Sequence, residues 1–228
     1  MPQPKKTSVP ATDSSVRRRA AAKKHPTEAP RTQAQRRMAS EQRLVNAALR
    51  VLAHKGWVGM TLAEVGKSAG VSRGLASHHF GNKAGLLRAL TLQINRSFDA
   101  AMQALPPAKP GLEAVLNYVS VYLGRKDHKW TNTRTLLLLM AEALIEGSEN
   151  ASVLADYMKR MFDYLEENIR IGIEAGEIRH DVSPRLSAET VIGTLRGVML
   201  QRLVEAERLD MSEMHDHLLH VFRRAFAP

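Results

Sequence analysis

Thr61-Leu62-Ala63-Glu64-Val65-Gly66-Lys67-Ser68-Ala69-Gly70-Val71-Ser72-Arg73-Gly74-Leu75-Ala76-Ser77-His78-His79-Phe80 reads as two short helices joined by a glycine turn. Thr61 and Glu64 have capping-box spacing, so hydroxyl and carboxylate are expected to satisfy each other's orphan amides. Leu62, Val65, Gly66 and Ala69 supply the inward stripe of that helix. Gly70 permits the positive dihedral of a sharp turn, Ser72 is a second cap, and a third helix of about seven residues follows through Leu75 to His79. This is the helix-turn-helix plan.

Working outward, Leu44, Ala47, Ala48, Val51 and Leu52 recur at helical spacing and mark an amphipathic first helix ending near Gly56. Downstream, Asn82 is placed to cap a fourth helix from Lys83 to about Ala104, carrying Leu86, Leu87, Leu90, Ile94 and Phe98. Pro106-Pro107 and Pro110-Gly111 stop it. Beyond Gly111 the periodicity predicts helices at 112–123, 131–146, 151–175, 185–207 and 211–226, with no alternating strand pattern and no repeat. The expectation is an all-α chain: a three-helix head with the helix-turn-helix at 32–83, then a helical bundle at 84–228. Residues 1–31, rich in Pro, Ser, Thr, Lys and Arg, are expected to form a disordered basic arm.

Apolar residues make up 44% of the chain and charged residues 25%, the balance of a globular protein able to bury a core. There is no cysteine, so no disulfide framework or thiolate metal site exists, and a reducing cytoplasm is the expected location. The longest apolar run, Leu136 to Ala141, is far short of the roughly 20 residues of a membrane span, and no secretory signal core follows the basic start. The net charge of +10 is concentrated: the first 40 residues hold ten Lys or Arg against Asp13 and Glu28. A basic arm on a nearly neutral body suits a polyanionic partner, because each cation near a phosphate releases a counterion, although a merely solubilising tail has the same composition.

The segment Arg43 to Leu90 resembles the DNA-binding head of the TetR family of transcriptional regulators. The resemblance is carried by Leu44-Val45-Asn46-Ala47-Ala48, Gly56, Thr61-Leu62-Ala63-Glu64-Val65, Ala69-Gly70-Val71-Ser72-Arg73-Gly74, His79-Phe80, Asn82-Lys83 and Leu86-Leu87. It implies a dimeric, ligand-responsive repressor that binds a palindromic double-stranded operator and leaves it when a small effector binds. Arg73 at the start of the third helix is expected to read guanine in the major groove, with the small Gly74 allowing close approach. Thr61 and Lys83 are expected at phosphates, Ser72 among the DNA-binding residues at the start of the third helix, and Ser77 and His78 at the groove or a phosphate. Thr61 as a cap alone, Arg73 as a phosphate contact alone and Lys83 as a solvated lysine are the plainer alternatives; His79 is expected to pack beneath the helix. The family usually has a tyrosine where this chain has Ser77, which leaves the operator sequence open.

The resemblance also implies a four-helix dimer interface, for which Val191, Leu195, Val198, Met199, Leu203, Leu218, Val221, Phe222 and Ala225 are the candidates. Packing inside one subunit would produce the same stripes. A ligand cavity is expected among the body helices, with Phe98, Met102, Tyr118, Tyr122, Trp130, Met140, Met161, Tyr164 and Met199 as lining and Arg134 or Glu142 orienting a polar group. Each would serve equally as plain core. Effector coupling of about 1 to 3 kcal/mol would shift DNA affinity 5- to 150-fold, with the fourth helix as lever.

No cofactor is expected. The chain has no glycine-rich phosphate loop, cysteine nucleophile or paired-histidine zinc motif to support an enzyme. His215, Asp216, His217 and His220 lack a further metal ligand of their own, so metal sensing and nonspecific DNA compaction are secondary alternatives. Activation instead of repression is a further one.

Overall fold

The structure is a computed structural model describing residues 32–124, 130–148, 150–205 and 208–228; the basic arm lies outside the described residues. Among them are nine helices and no strands: α1 (Gln33–Gly59), α2 (Leu62–Ala69), α3 (Arg73–Phe80), α4 (Lys83–Gln103), α5 (Leu112–Gly124), α6 (Thr131–Ala143), α7 (Ala151–Glu174), α8 (Pro184–Val204) and α9 (Met211–Phe226).

Each boundary has a local cause. Thr32 and Gln35 form a reciprocal capping box that opens α1. The helix bends at Gly56, whose φ of 66° breaks the ladder, and winds on to Gly59, three residues past the expected end. Asn82 caps α4 by accepting from the Gly85 amide at 2.9 Å. At Gly85 a side chain would have its Cβ 2.0 Å from the Phe80 carbonyl oxygen, so a glycine there lets α4 start directly against the end of α3. Helix α6 stops at Ala143, short of the expected 146, and α8 at Val204, short of 207.

Leu44, Ala47, Ala48, Leu52, Val65, Ala76, Leu86, Leu87 and Leu90 form the core of the head, and α5 to α9 contribute the rest of one continuous apolar core. Head and body join by two routes. Helix α4 runs between them, and α1 packs against α6, where the buried Thr135 hydroxyl donates to the Leu49 carbonyl at 3.4 Å. The carboxy-terminal helix is tied back by the Arg179 amide, which donates to the Phe226 carbonyl at 2.9 Å.

Candidate nucleic-acid interface and ligand cavity

The turn between α2 and α3 is fixed by backbone bonds. Gly70 takes the left-handed conformation (φ 70°, ψ 30°), and the Val71 amide donates to the Gly66 carbonyl at 2.9 Å. Ser72 caps α3 by accepting from the Leu75 amide at 3.2 Å. The helix then buries Ala76 completely and half-buries Leu75, Ser77, His79 and Phe80. Ser72, Arg73, Gly74 and His78 are exposed and share the outward side. Ser77, expected at the groove, is half-buried, because it follows directly on the buried Ala76.

Thr61 caps α2 through the Glu64 amide at 3.1 Å. The reciprocal half of the expected box is absent: Glu64 pairs with Lys55 across the helix pair, and that ammonium holds its carboxyl below the ordinary range. Thr61, Leu62, Ala63, Arg73 and Lys83 line one shallow depression of about 380 Å³, which gathers three of the anticipated DNA-contacting residues at the start of α2. The Lys83 amine, expected to point at a phosphate, instead turns inward. It donates to the Trp57 carbonyl at 2.8 Å and lies 3.6 Å from the centroid of the Trp57 ring. Partial burial pushes its pKa below that of a free lysine, against the opposing pull of the Glu142 carboxylate.

In the body, Phe98 and Met102 of α4, Tyr118 of α5, and Met161 and Tyr164 of α7 line a single cavity of about 320 Å³. Phe98 meets Tyr118 edge-on at 5.1 Å between centroids, and Tyr118 lies 5.9 Å from Tyr164, so the wall is continuous and aromatic. Burial raises the Tyr164 phenol's pKa. Asp99, Gln103, Tyr157 and Arg160 complete the lining. Sequence reading missed these four, although Tyr157, Met161 and Tyr164 fall one helical turn apart and mark the inward stripe of α7.

Four expected lining residues, Tyr122, Trp130, Met140 and Met199, lie elsewhere, as does Arg134, expected to orient a polar group; Met140 is half-buried on α6 outside the cavity. Tyr122 is fully buried behind Phe98, at 6.1 Å. Trp130 opens α6 with the Arg202 guanidinium 5.7 Å from its ring centroid. Arg134 is on the surface and Met199 is inside the α8 core. Glu142 does not reach the cavity either, since both its oxygens accept from the Ser148 hydroxyl at 2.9 and 3.0 Å.

Most of the anticipated interface stripe is turned inward; of its nine members Val221 and Ala225 of α9 are exposed and Leu203 is half-buried. Val191, Leu195, Val198 and Met199 of α8, with Leu218 and Phe222 of α9, are all at least nine-tenths buried within the single subunit. A side chain already covered by its own chain has nothing left to give a partner. The opposite face of α8 carries Leu186, Gly193, Gly197, Leu200 and Val204 at helical spacing; Leu186, Leu200 and Val204 are 59%, 53% and 73% exposed. A Cβ at either glycine would meet nothing, and Val221 of α9 is exposed as well.

Comparison with known proteins agrees with this architecture. Residues 44–90 match the family model for bacterial regulatory proteins of the tetR family. The HTH-type transcriptional regulator CymR of Pseudomonas putida is 27% identical over 206 residues, which are 86% of this chain and 96% of CymR. A TetR-family transcriptional regulator from a Rhodococcus species superposes with a TM-score of 0.74 at 21% identity, over 82% of this chain and 98% of its own. A transcriptional regulator from Saccharomonospora viridis, solved with choline, gives 0.74 at 19%, over 84% and 99%. Fold and exposed helix define a helix-turn-helix transcription regulator. Residues 44–90 match a tetR-family DNA-binding head, and the chain as a whole has the fold of TetR-family regulators.

Proposed function

We propose that the chain is a repressor that grips a palindromic operator as a homodimer in the cytoplasm and lets go when a small molecule enters the α4–α5–α7 cavity. The observation that carries this reading is the exposed start of α3: Ser72, Arg73 and Gly74 face outward beside Thr61 at the mouth of a shared depression. In this reading residues 32–83 are the DNA-reading unit and 84–228 the sensing and dimerising unit. Arg73 reads a base edge, Gly74 lets the backbone approach, and Thr61, Ser72 and His78 hold phosphates. Lys83 has a supporting role under the head, and Ser77 contributes less than its sequence position suggested.

The dimer is assigned to the outer α8 face of Leu186, Gly193, Gly197, Leu200 and Val204, with Val221. Two copies would set recognition helices about 34 to 36 Å apart, the spacing of successive major grooves. For the effector, the cavity has aromatic walls and two charged groups, Asp99 and Arg160, with no ion-pair partner among the described residues. The choline held by the S. viridis regulator supports a small-molecule effector in this fold.

Selection from random duplexes, followed by competition against unrelated DNA at fixed salt, tests the reading. A single palindrome should emerge and be bound about 10³-fold or more above random sequence. Arg73→Ala should weaken that preference by the about 1 to 3 kcal/mol of a lost bidentate base contact. Equal affinity for every duplex, or undiminished preference in Arg73→Ala, contradicts it.

A further inference from the structure

Between cavity and head, polar groups form one line that is exposed at Arg160, buried at Asn95, Thr91, Asn150 and Glu142, and half-buried at Ser148 and Lys83. Asn95 of α4, 4% exposed, satisfies its neighbours in one amide orientation only: its nitrogen donates to the Thr91 carbonyl at 3.1 Å and its oxygen accepts from the Arg160 guanidinium at 3.3 Å. The buried Thr91 hydroxyl donates to the side-chain Oδ1 of Asn150 at 3.1 Å, and the backbone N–H of Asn150 donates to Ser148 Oγ at 3.2 Å. That same hydroxyl is bonded to Glu142, whose carboxylate favours the charged form of Lys83 through space and not by a direct bond, and Lys83 holds the Trp57 carbonyl at the end of α1. Arg160 lines the cavity, while Lys83 and Trp57 support the head.

We propose that this polar chain, buried along its middle, is a relay by which occupancy of the cavity at Arg160 changes the support of the head at Lys83 and Trp57. The inference rests on reading the cavity as the effector site. A buried donor or acceptor stripped of its partner is costly, so a ligand that takes the guanidinium from Asn95 forces the next group to rearrange. The line also contains a member with two available states. Asn150 Nδ2 is buried without a partner among the described residues, so rotation of that amide exchanges donor for acceptor at the Thr91 hydroxyl. Coupling needs such a discrete element, biased from both ends.

The test needs no knowledge of the effector. The chain has two tryptophans, so Trp130→Phe leaves Trp57 as the reporter in the full-length protein. Arg160→Met, which removes the input, should shift Trp57 emission and change affinity for the selected duplex by about 2- to 30-fold. Thr91→Val should abolish both responses to Arg160→Met, whereas Thr91→Ser, which keeps the hydroxyl, should preserve them. Glu142→Gln interrupts the line at a second link and decides the matter should Thr91→Val fail to fold. Trp57 emission unmoved by Arg160→Met, or moved equally with and without the Thr91 hydroxyl, overturns the relay. Absence of any duplex preference in the parent overturns the repressor reading instead, while the emission result still judges the relay.

Discussion

Helices α3 and α8 were both legible as helices, yet only α3 faces the way its pattern suggested. Helix α3 is short and mostly polar, with a single fully buried residue, Ala76, so it has one way to lie on the small head and must show Arg73 and His78 outside. Helix α8 has apolar residues on two sides. Its richer stripe, including Val191, Leu195 and Met199, fills the subunit core, and its sparser stripe of Leu186, Gly193, Gly197, Leu200 and Val204 is left bare. The stronger hydrophobic signal therefore identifies the inside of the subunit, and the weaker one its free face. An exposed run of large aliphatics broken by glycines is costly in water and fits close approach of another helix.

Substitutions on the two sides of α8 would break this contrast or sharpen it. Leu195→Ala should lower the unfolding free energy by about 2 to 5 kcal/mol while leaving the mass in solution unchanged. A change in oligomeric state without destabilisation would return Leu195 to the interface. Leu200→Glu combined with Val204→Glu should do the reverse, since new carboxylates on an already exposed face cost the fold little. Equilibrium ultracentrifugation should then find a monomer, and affinity for the whole palindrome should fall well below the parent's. A dimer that persists would place the twofold contact elsewhere.

The smallest effect is expected in the head, where Lys55→Met removes the partner of Glu64. Both side chains are solvent-accessible, so the midpoint of thermal unfolding at neutral pH should remain close to the parent's. The pairing shows in the acid limb. Because the folded pKa of Glu64 is depressed, its contribution is present above the ordinary carboxylate range and disappears as pH falls through the lowered value. Lys55→Met should lack that slope, and NMR titration should find the Glu64 carboxyl back near its usual pKa. An unchanged titration would remove the pair from the account.

The legibility of the site follows the range of the interactions that make it. Ser72 and Asn82 cap helices through residues three positions away, and Gly70 makes its turn with its own neighbours, so these features could be read in order along the chain. Five of the nine expected lining residues converge on the cavity because α4, α5 and α7 each turn an apolar face inward. Arg160 and Asp99 escaped notice because both are exposed charged residues that local spacing cannot tell from other solvated ones; only the packing of α4 against α7 puts them at the cavity's rim. Lys83 was misdirected for a related reason: Trp57 lies 26 positions away in sequence.

What the sequence by itself determined was the order of the helices, their extent to within about a turn, the helix-turn-helix and the outward placement of Ser72, Arg73, Gly74 and His78, since periodicity and capping act within one or two turns. Only the tertiary structure decided which apolar stripe of α8 is covered, where the Lys83 amine points, and that polar residues from α4, α6 and α7 meet in one line. Those outcomes depend on how rigid helices share a single core, a competition among distant surfaces that no local spacing encodes.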